Sequence, residues 1–302
     1  TRNRVQNAID DGKVLVNGNA VKSNYKVKPG DDVEVISFEE PRVFEVLPED
    51  IPLDIVYEDK DLIILNKPCG FVVHPGHGNY TGTLVNALAH HMGVSPENGE
   101  VRPWLVHRID KDTTGLMVVA KTEIAMNKLA LQFKDHSIER TYNALVWGSF
   151  AAKEGTIVGH VGRSTRDRKM FMVYPDGEHG KHAVTHYEVL EDFNFVSLVA
   201  CKLETGRTHQ IRVHMKHAGH TLFNDSYYGG DKILKGVVFS KYKQFIDNCF
   251  VSLPRQALHA KSLGFVHPTT NEWVQFNSEL PADFQTVLDK WRSVSKAYDF
   301  TK

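Results

Sequence analysis

The sequence predicts an α+β protein: a large, mainly antiparallel sheet with helices packed on its faces, preceded by a small separate module. Three observations carry this. Short β-rich runs recur from Ile55 onward without the strand–helix alternation that parallel βαβ units require. A few longer stretches have helical spacing and capping residues. An acidic, proline-containing segment, residues 38–53, sets the first 37 residues apart.

Within residues 1–37 the order is a helix-like RNRVQNAIDDG, a β-like KVLVNG turning at Asn17-Gly18, and AVKSNYKVKPGDDVEVI, where a Pro-Gly turn precedes a last strand. The segment 38–53 carries Pro41, Pro48 and Pro52 and lacks either periodicity, so it reads as a linker. The large domain then spans 54–302. Its strands are read in DLIILNKP, GLMVVAK, RTYNALVWG, GTIVGHV, AVTHYEVL and FVSLVACKLETG, and its helices over 82–92, 122–135, 208–218 and 281–294. Thr122 caps the start of the second helix and Gly219 follows the third.

Composition narrows the function classes. The first twenty residues are polar, and no apolar run approaches the roughly 18 residues of a membrane span, so a soluble, cytoplasmic protein is expected. Three cysteines, Cys69, Cys201 and Cys249, without a C-x-x-C pair, argue against a disulfide framework and a thiolate zinc site. A net charge of −1 argues against indiscriminate coating of nucleic acid. Charge is nonetheless local: seven acidic residues lie from Glu39 to Glu58 against Arg42 alone, whereas Arg163 to Lys169 packs four cations into seven residues.

Sixteen histidines raise the question of a metal. His179, His182 and His186 lie where a glycine-rich loop enters an alternating strand, which is read as keeping them off one face. His209, His214, His217 and His220 lack an H-E-x-x-H pattern. No metal site is expected. HPGHGNYTGT has glycines but no strand-to-helix context or lysine for a phosphate loop, and no G-x-S-x-G appears. Three segments remain: HRID (107–110), RTY (140–142) and GRTHQIRVH (206–214). Each sets arginine beside a residue of potential chemical use, Asp110, Tyr142 or His209. Such arginines either hold phosphates, pair with Asp110, or form ordinary surface salt bridges. Spacing leaves these alternatives open.

Those segments, with ILNKPCGFVVHPG upstream, HRIDKDTTGLMVVAKT, LETGRTHQIRVHMKHAGHTLFNDSYYGG and the C-terminal RQALHAKSLGFVHP, resemble the RluA-type family of RNA pseudouridine synthases. The resemblance covers roughly residues 50–295, with Ile109 where leucine is usual. Residues 1–37 resemble the S-four-like RNA-binding module that some members carry, without its usual first-helix start, which implies an incomplete N terminus.

The resemblance implies the pseudouridine synthase fold and a cofactor-free isomerisation of uridine in RNA. The base leaves through nitrogen 1, turns, and rejoins through carbon 5. It implies Asp110 as the catalytic carboxylate, Arg212 as its partner, and Tyr142 as the ring stacked on the uracil. Arg108 enters the space of the flipped nucleotide, Leu203 floors the pocket, and His107, Arg207 and His209 contact substrate. The implied partner is a large-subunit ribosomal RNA stem-loop or pre-ribosomal particle, bound by a monomer. Whether Asp110 attacks the base or acts at the sugar stays open. Two other classes stand beside this reading: a non-catalytic ribosome-assembly protein and a histidine-ligated metal hydrolase.

Overall fold

The computed structural model describes residues 2–36, 46–76, 78–94, 103–167, 169–237 and 239–297. The chain divides into two compact units, Thr1–Val46 and Leu47–Lys302. In the first, helix α1 (Arg2–Asp10) precedes strands β1 (Val14–Val16), β2 (Asn19–Ala20) and β3 (Val33–Val35). The strands form an antiparallel sheet with β1 in the middle. Asn17 and Gly18 both take positive φ (50° and 77°), the geometry of a tight hairpin, and Asn17 also ties this turn to Asp31 and Asp32. Ala8, Val14 and Val16 form the small core.

The second unit begins earlier than the linker reading of 38–53 allows. The Leu47 carbonyl accepts from Asn86 Nδ2, the Glu49 carboxylate accepts the Gly82 N–H, and Glu49 N–H donates to the Asn86 carbonyl. Residues 47–53 are thereby fastened to the start of a helix; residues 37–45 lie outside the described residues.

This unit contains β4 (Ile55–Glu58), β5 (Leu62–Lys67), α2 (Leu84–His91), β6 (Trp104–Leu105), β7 (Thr114–Ala120), α3 (Glu123–Lys134), β8 (Glu139–Trp147) and β9 (Glu154–Arg163). There follow β10 (Phe171–Tyr174), β11 (Lys181–Asp192), β12 (Val196–Leu203), α4 (Gln210–His217), α5 (Ser240–Ser252), β13 (Leu258–Val266), β14 (Trp273–Asn277) and α6 (Ala282–Ala297). The strands make one 11-stranded sheet of order β10-β9-β11-β12-β8-β13-β7-β5-β4, with β14 on β13 and β6 on β7. Among the described residues the β13–β7 pair is parallel and the other pairs antiparallel.

The central strands are apolar on both faces because both are covered. Ile63, Leu65, Met117, Val119, Tyr142, Ala144 and Val146 point to the side packed by α2 and α4, through Leu84, Leu88, Ile211 and Met215. Leu62, Ile64, Leu116 and Val118 point the other way, onto Ala125 and Leu129 of α3. Leu145 and Trp147 share that second side with Tyr242 and Ile246 of α5 and Phe284, Leu288 and Trp291 of α6. The period-2 alternation of side chains thus assigns Tyr142 to the face that carries α4.

The four expected helices appear, as α2, α3, α4 and α6, within a few residues of their predicted ends. Helix α4 starts at Gln210, not Thr208, because His209 sits in the left-handed region (φ 57°). The Gln210 side chain instead secures the preceding turn, Oε1 accepting from Thr205 Oγ1 and from the Arg207 N–H. Helix α5 was not foreseen. Its buried stripe is only Tyr242, Ile246 and Cys249, and Phe239 at its N-cap makes no side-chain cap.

Candidate active site

Residues 107–113 run as irregular chain into β7, and four separate side chains hold residues 111–114, two through backbone carbonyls and two through threonine hydroxyls. Lys67, fully buried, donates from Nζ to the carbonyls of Pro68 (2.8 Å), Phe71 (3.0 Å) and Lys111 (2.7 Å). Desolvation pulls its pKa down to about 8. Arg255 reaches the Asp112 carbonyl while paired through two nitrogens with Asp283. Gln256 Nε2 donates to Thr113 Oγ1, and His259 bonds Thr114 Oγ1 at 2.9 Å. A turn closed by Thr113 N–H on the Asp110 carbonyl completes the loop.

Gly115 explains why the stretch ends in Thr-Thr-Gly. Its φ is 112°, and a Cβ built there would lie 2.3 Å from the Ala260 carbonyl oxygen. Only glycine lets β7 approach β13 this closely, and that contact aligns Thr114 with His259.

Asp110 Oδ2 accepts from Arg212 Nη1 at 2.9 Å. Arg212 projects from the first turn of α4 and is itself held by Asp225, Nε to Oδ2 at 2.7 Å and Nη2 to Oδ1 at 2.8 Å. Burial disfavours the Arg212 charge, but the Asp225 and Asp110 carboxylates outweigh it and raise its pKa. Its guanidinium also lies over the Tyr228 ring, 4.9 Å from the centroid. His209 Nδ1 sits 2.7 Å from Tyr228 Oη, and Nε2 lies 3.8 Å from Asp110 Oδ2. Desolvation lowers the His209 pKa, so a neutral imidazole faces the carboxylate near pH 7.

Asp110, Arg212 and His209 line a cavity of about 280 Å³. Each of the eight site residues read from sequence, Asp110, Tyr142, Arg212, Arg108, Leu203, His107, Arg207 and His209, is in its wall. Tyr142 is buried; desolvation and then the nearby Asp110 charge raise its pKa, so the phenol stays protonated. Leu203 is buried at the end of β12. Arg108 is exposed, and Arg207 is half-buried with Nε donating to the His182 carbonyl. His107 accepts the Val118 N–H at Nε2, stacks on Phe133 and is held neutral, its pKa pushed by desolvation to about 3. His107 therefore belongs to the wall's framework.

Asp225, Tyr228 and Phe133 complete the site without having been singled out, and Arg140, noted before only as the arginine of RTY, joins them. Asp225 lies 13 residues beyond Arg212 in an ordinary turn sequence, FNDSYY, and only the fold brings its carboxylate under the guanidinium. Alternation along β8 was the available signal for Arg140, two positions from Tyr142 on the same face.

The two histidine clusters are dispersed. His182 and His186, four apart on β11, do share a face, contrary to the sequence reading, but their partners differ. His182 packs on His160, His186 bonds Glu204 and Thr156, and His179 packs on Tyr174. His214 bonds Thr185 and His220 bonds the Trp147 carbonyl. Elsewhere Asp59, Asp61 and His267 lie together. There His267 Nδ1 accepts the Thr269 and Thr270 N–H groups, which puts the ring proton on Nε2, aimed at Asp59 Oδ2 2.8 Å away. That nitrogen has no lone pair to offer a metal.

A mixed sheet covered on both faces holds a carboxylate–guanidinium pair and a buried tyrosine in one cavity, and the chain is matched by the RNA pseudouridylate synthases. A family model of that description matches residues 61–217, and the chain belongs to this family of isomerases acting on RNA. An S4 domain model matches residues 1–33. The chain is 48% identical over 301 residues to an uncharacterized RNA pseudouridine synthase of Chlorobaculum parvum, covering 98% of this chain and 91% of that protein. It is 43% identical over 292 residues to the ribosomal large subunit pseudouridine synthase D of Zymomonas mobilis, covering 95% and 88%. In fold it is similar to human RNA pseudouridylate synthase domain containing 4, with TM-score 0.60 and 24% identity over 79% of this chain and 92% of that one.

Proposed function

We propose that this protein converts specific uridines of 23S ribosomal RNA to pseudouridine, with Asp110 as the catalytic carboxylate acting on a flipped-out nucleotide. The observation that carries the chemical part is the chain Asp225–Arg212–Asp110, which sets a charge-paired carboxylate, its side chain 20% exposed, in the wall of the cavity. A carboxylate that is to act as nucleophile or base needs that combination of charge and poor solvation. Tyr142 supplies the face on which a uracil stacks, an interaction worth on the order of 1–3 kcal/mol. Flipping the base costs a few kcal/mol, and the exposed Arg108 at the cavity offsets this by occupying the gap and holding phosphate.

The RNA target is supported by the names of relatives such as the Zymomonas mobilis protein and by the cations of the loop 164–170, which joins β9 to β10. Phe171, at the start of β10, meets the cavity residue His209 edge-on. We place the enzyme in the cytoplasm, acting as a monomer during assembly of the large subunit. Incubation with 23S rRNA, or a stem-loop of it, followed by pseudouridine mapping tests the reading. Product with the wild-type protein and none with Asp110→Ala is expected; no product with wild type, or full product with Asp110→Ala, overturns it.

A further inference from the structure

Of the four arginines in the cavity wall, two are buried, and their circumstances are opposite. Arg212 is saturated by carboxylates. Arg140 is 7% exposed, donates no hydrogen bond and forms no ion pair among the described residues, and its Nε is buried without a partner. Its neighbours are the face of Phe133, 5.2 Å from the guanidinium carbon, and Gly206, where a Cβ would stand 2.7 Å from Nη1. His107, stacked on that same Phe133, is neutral. A buried cation without an acceptor is destabilising, and a folded protein retains one where a ligand completes it.

We infer that Arg140 receives a carbonyl oxygen of the uracil ring and stabilises the negative charge that the base acquires as it leaves the sugar. This rests on the pseudouridine synthase reading of the site. The ligand must be an oxygen acceptor. A phosphodiester continues into chain on both sides and is suited to the mouth of a pocket, whereas a base is a terminal group that fits its depth. Arg140 and Tyr142 are two residues apart on one face of β8, so a ring stacked on Tyr142 turns its edge toward the guanidinium.

The chemistry calls for a cation there. By either route open to Asp110, the C1′–N1 bond breaks and its electron pair stays with the base. The charge spreads from N1 onto the ring oxygens. After the base turns, C5 bonds to C1′, the proton on C5 departs and N1 takes one up, so nothing else is consumed. A fixed donor aimed at an oxygen where charge develops acts as an oxyanion hole does. Gly206 leaves the space in which that donor lies.

Arg140→Gln and Arg140→Lys are to be compared with wild type in single-turnover conversion of an RNA that wild type modifies, in RNA affinity across a salt series, and in melting temperature. We expect Arg140→Gln to slow conversion by about 10²–10³-fold, as loss of one oxyanion donor does. Affinity and its salt dependence should hold, and the melting temperature should stay or rise because an unpaired buried charge is gone. Arg140→Lys should recover part of the rate, and Gly206→Ala, which displaces the guanidinium, should lose part of it. An Arg140→Gln enzyme of wild-type rate overturns the inference and leaves the parent reading intact. So does weaker binding with a salt slope smaller by about 0.7–0.9, the mark of a phosphate contact, or a rate loss that tracks a lowered melting temperature. A wild-type protein that makes no pseudouridine overturns both.

Discussion

At the residue scale the site is a relay of charge. Asp225 is 1% exposed and its two oxygens take two nitrogens of Arg212, leaving Nη1 to Asp110. Removing the innermost member therefore costs more in stability than removing the outermost. Asp225→Ala leaves a buried guanidinium half-paired and should lower unfolding free energy by about 3–5 kcal/mol in urea titration. Asp110→Asn keeps an acceptor near Nη1 and should unfold at nearly the wild-type urea concentration while forming no pseudouridine. Tyr142 separates in a third way. Tyr142→Phe keeps the stacking ring and should bind RNA as wild type does, whereas Tyr142→Ala should weaken binding by about 5- to 150-fold, the equivalent of 1–3 kcal/mol.

At the element scale, the positioning of Asp110 depends on distant segments converging on one loop. Lys67 ends β5, Arg255 and Gln256 precede β13, and His259 lies within it, and all four bond residues 111–114. Lys67→Met fills similar space but leaves three carbonyls without their donor. It should cost about 3–5 kcal/mol by urea titration and reduce conversion by loosening the loop beside Asp110. These ties also explain which parts were legible beforehand. Strands showed plainly because burial on both faces makes apolar runs such as LIIL and LMVV, α2 and α3 showed because Thr83 and Thr122 cap them, and α6 because Phe284, Val287, Leu288 and Trp291 recur at helical spacing. The start of α4 did not, since a left-handed His209 leaves no mark in composition. Nor did α5, whose three buried positions are spread among polar residues. The eight cavity residues were reached through resemblance of ordered blocks. Spacing alone left each arginine between a ligand role and a surface pair, because Arg140, Arg207 and Arg212 differ only in what the fold places beside them.

At the scale of the whole molecule, the response to acid follows from histidines that fold into neutral surroundings. His214 and His259 are 0% and 1% exposed, and burial lowers the pKa of each from 6.5 to about 4. Between those values the unfolded chain binds the proton and the folded chain does not, so stability is full above pH 6.5 and declines as pH falls toward 4. From pH 7.5 to pH 5 the pair should remove about 4 kcal/mol of unfolding free energy, at 1.36 kcal/mol per unit of difference. Other groups do not cancel this. Glu58, Asp59 and Glu191 have folded pKa values below their ordinary ones and lose their contribution only below about pH 4.5. Lys67 changes proton occupancy between folded and unfolded chains only near and above pH 8. His107, lowered to about 3, adds about half as much again in the same window, and His74, His209 and His220 are lowered as well and act in the same direction. Urea titrations at the two pH values check the magnitude, and His214→Gln, which can still bond Thr185, should remove about 2 kcal/mol of the pH dependence, a third of what His107, His214 and His259 supply together. Unfolding free energy that is flat from pH 7.5 to pH 5 would show that these imidazoles take up protons in the folded state.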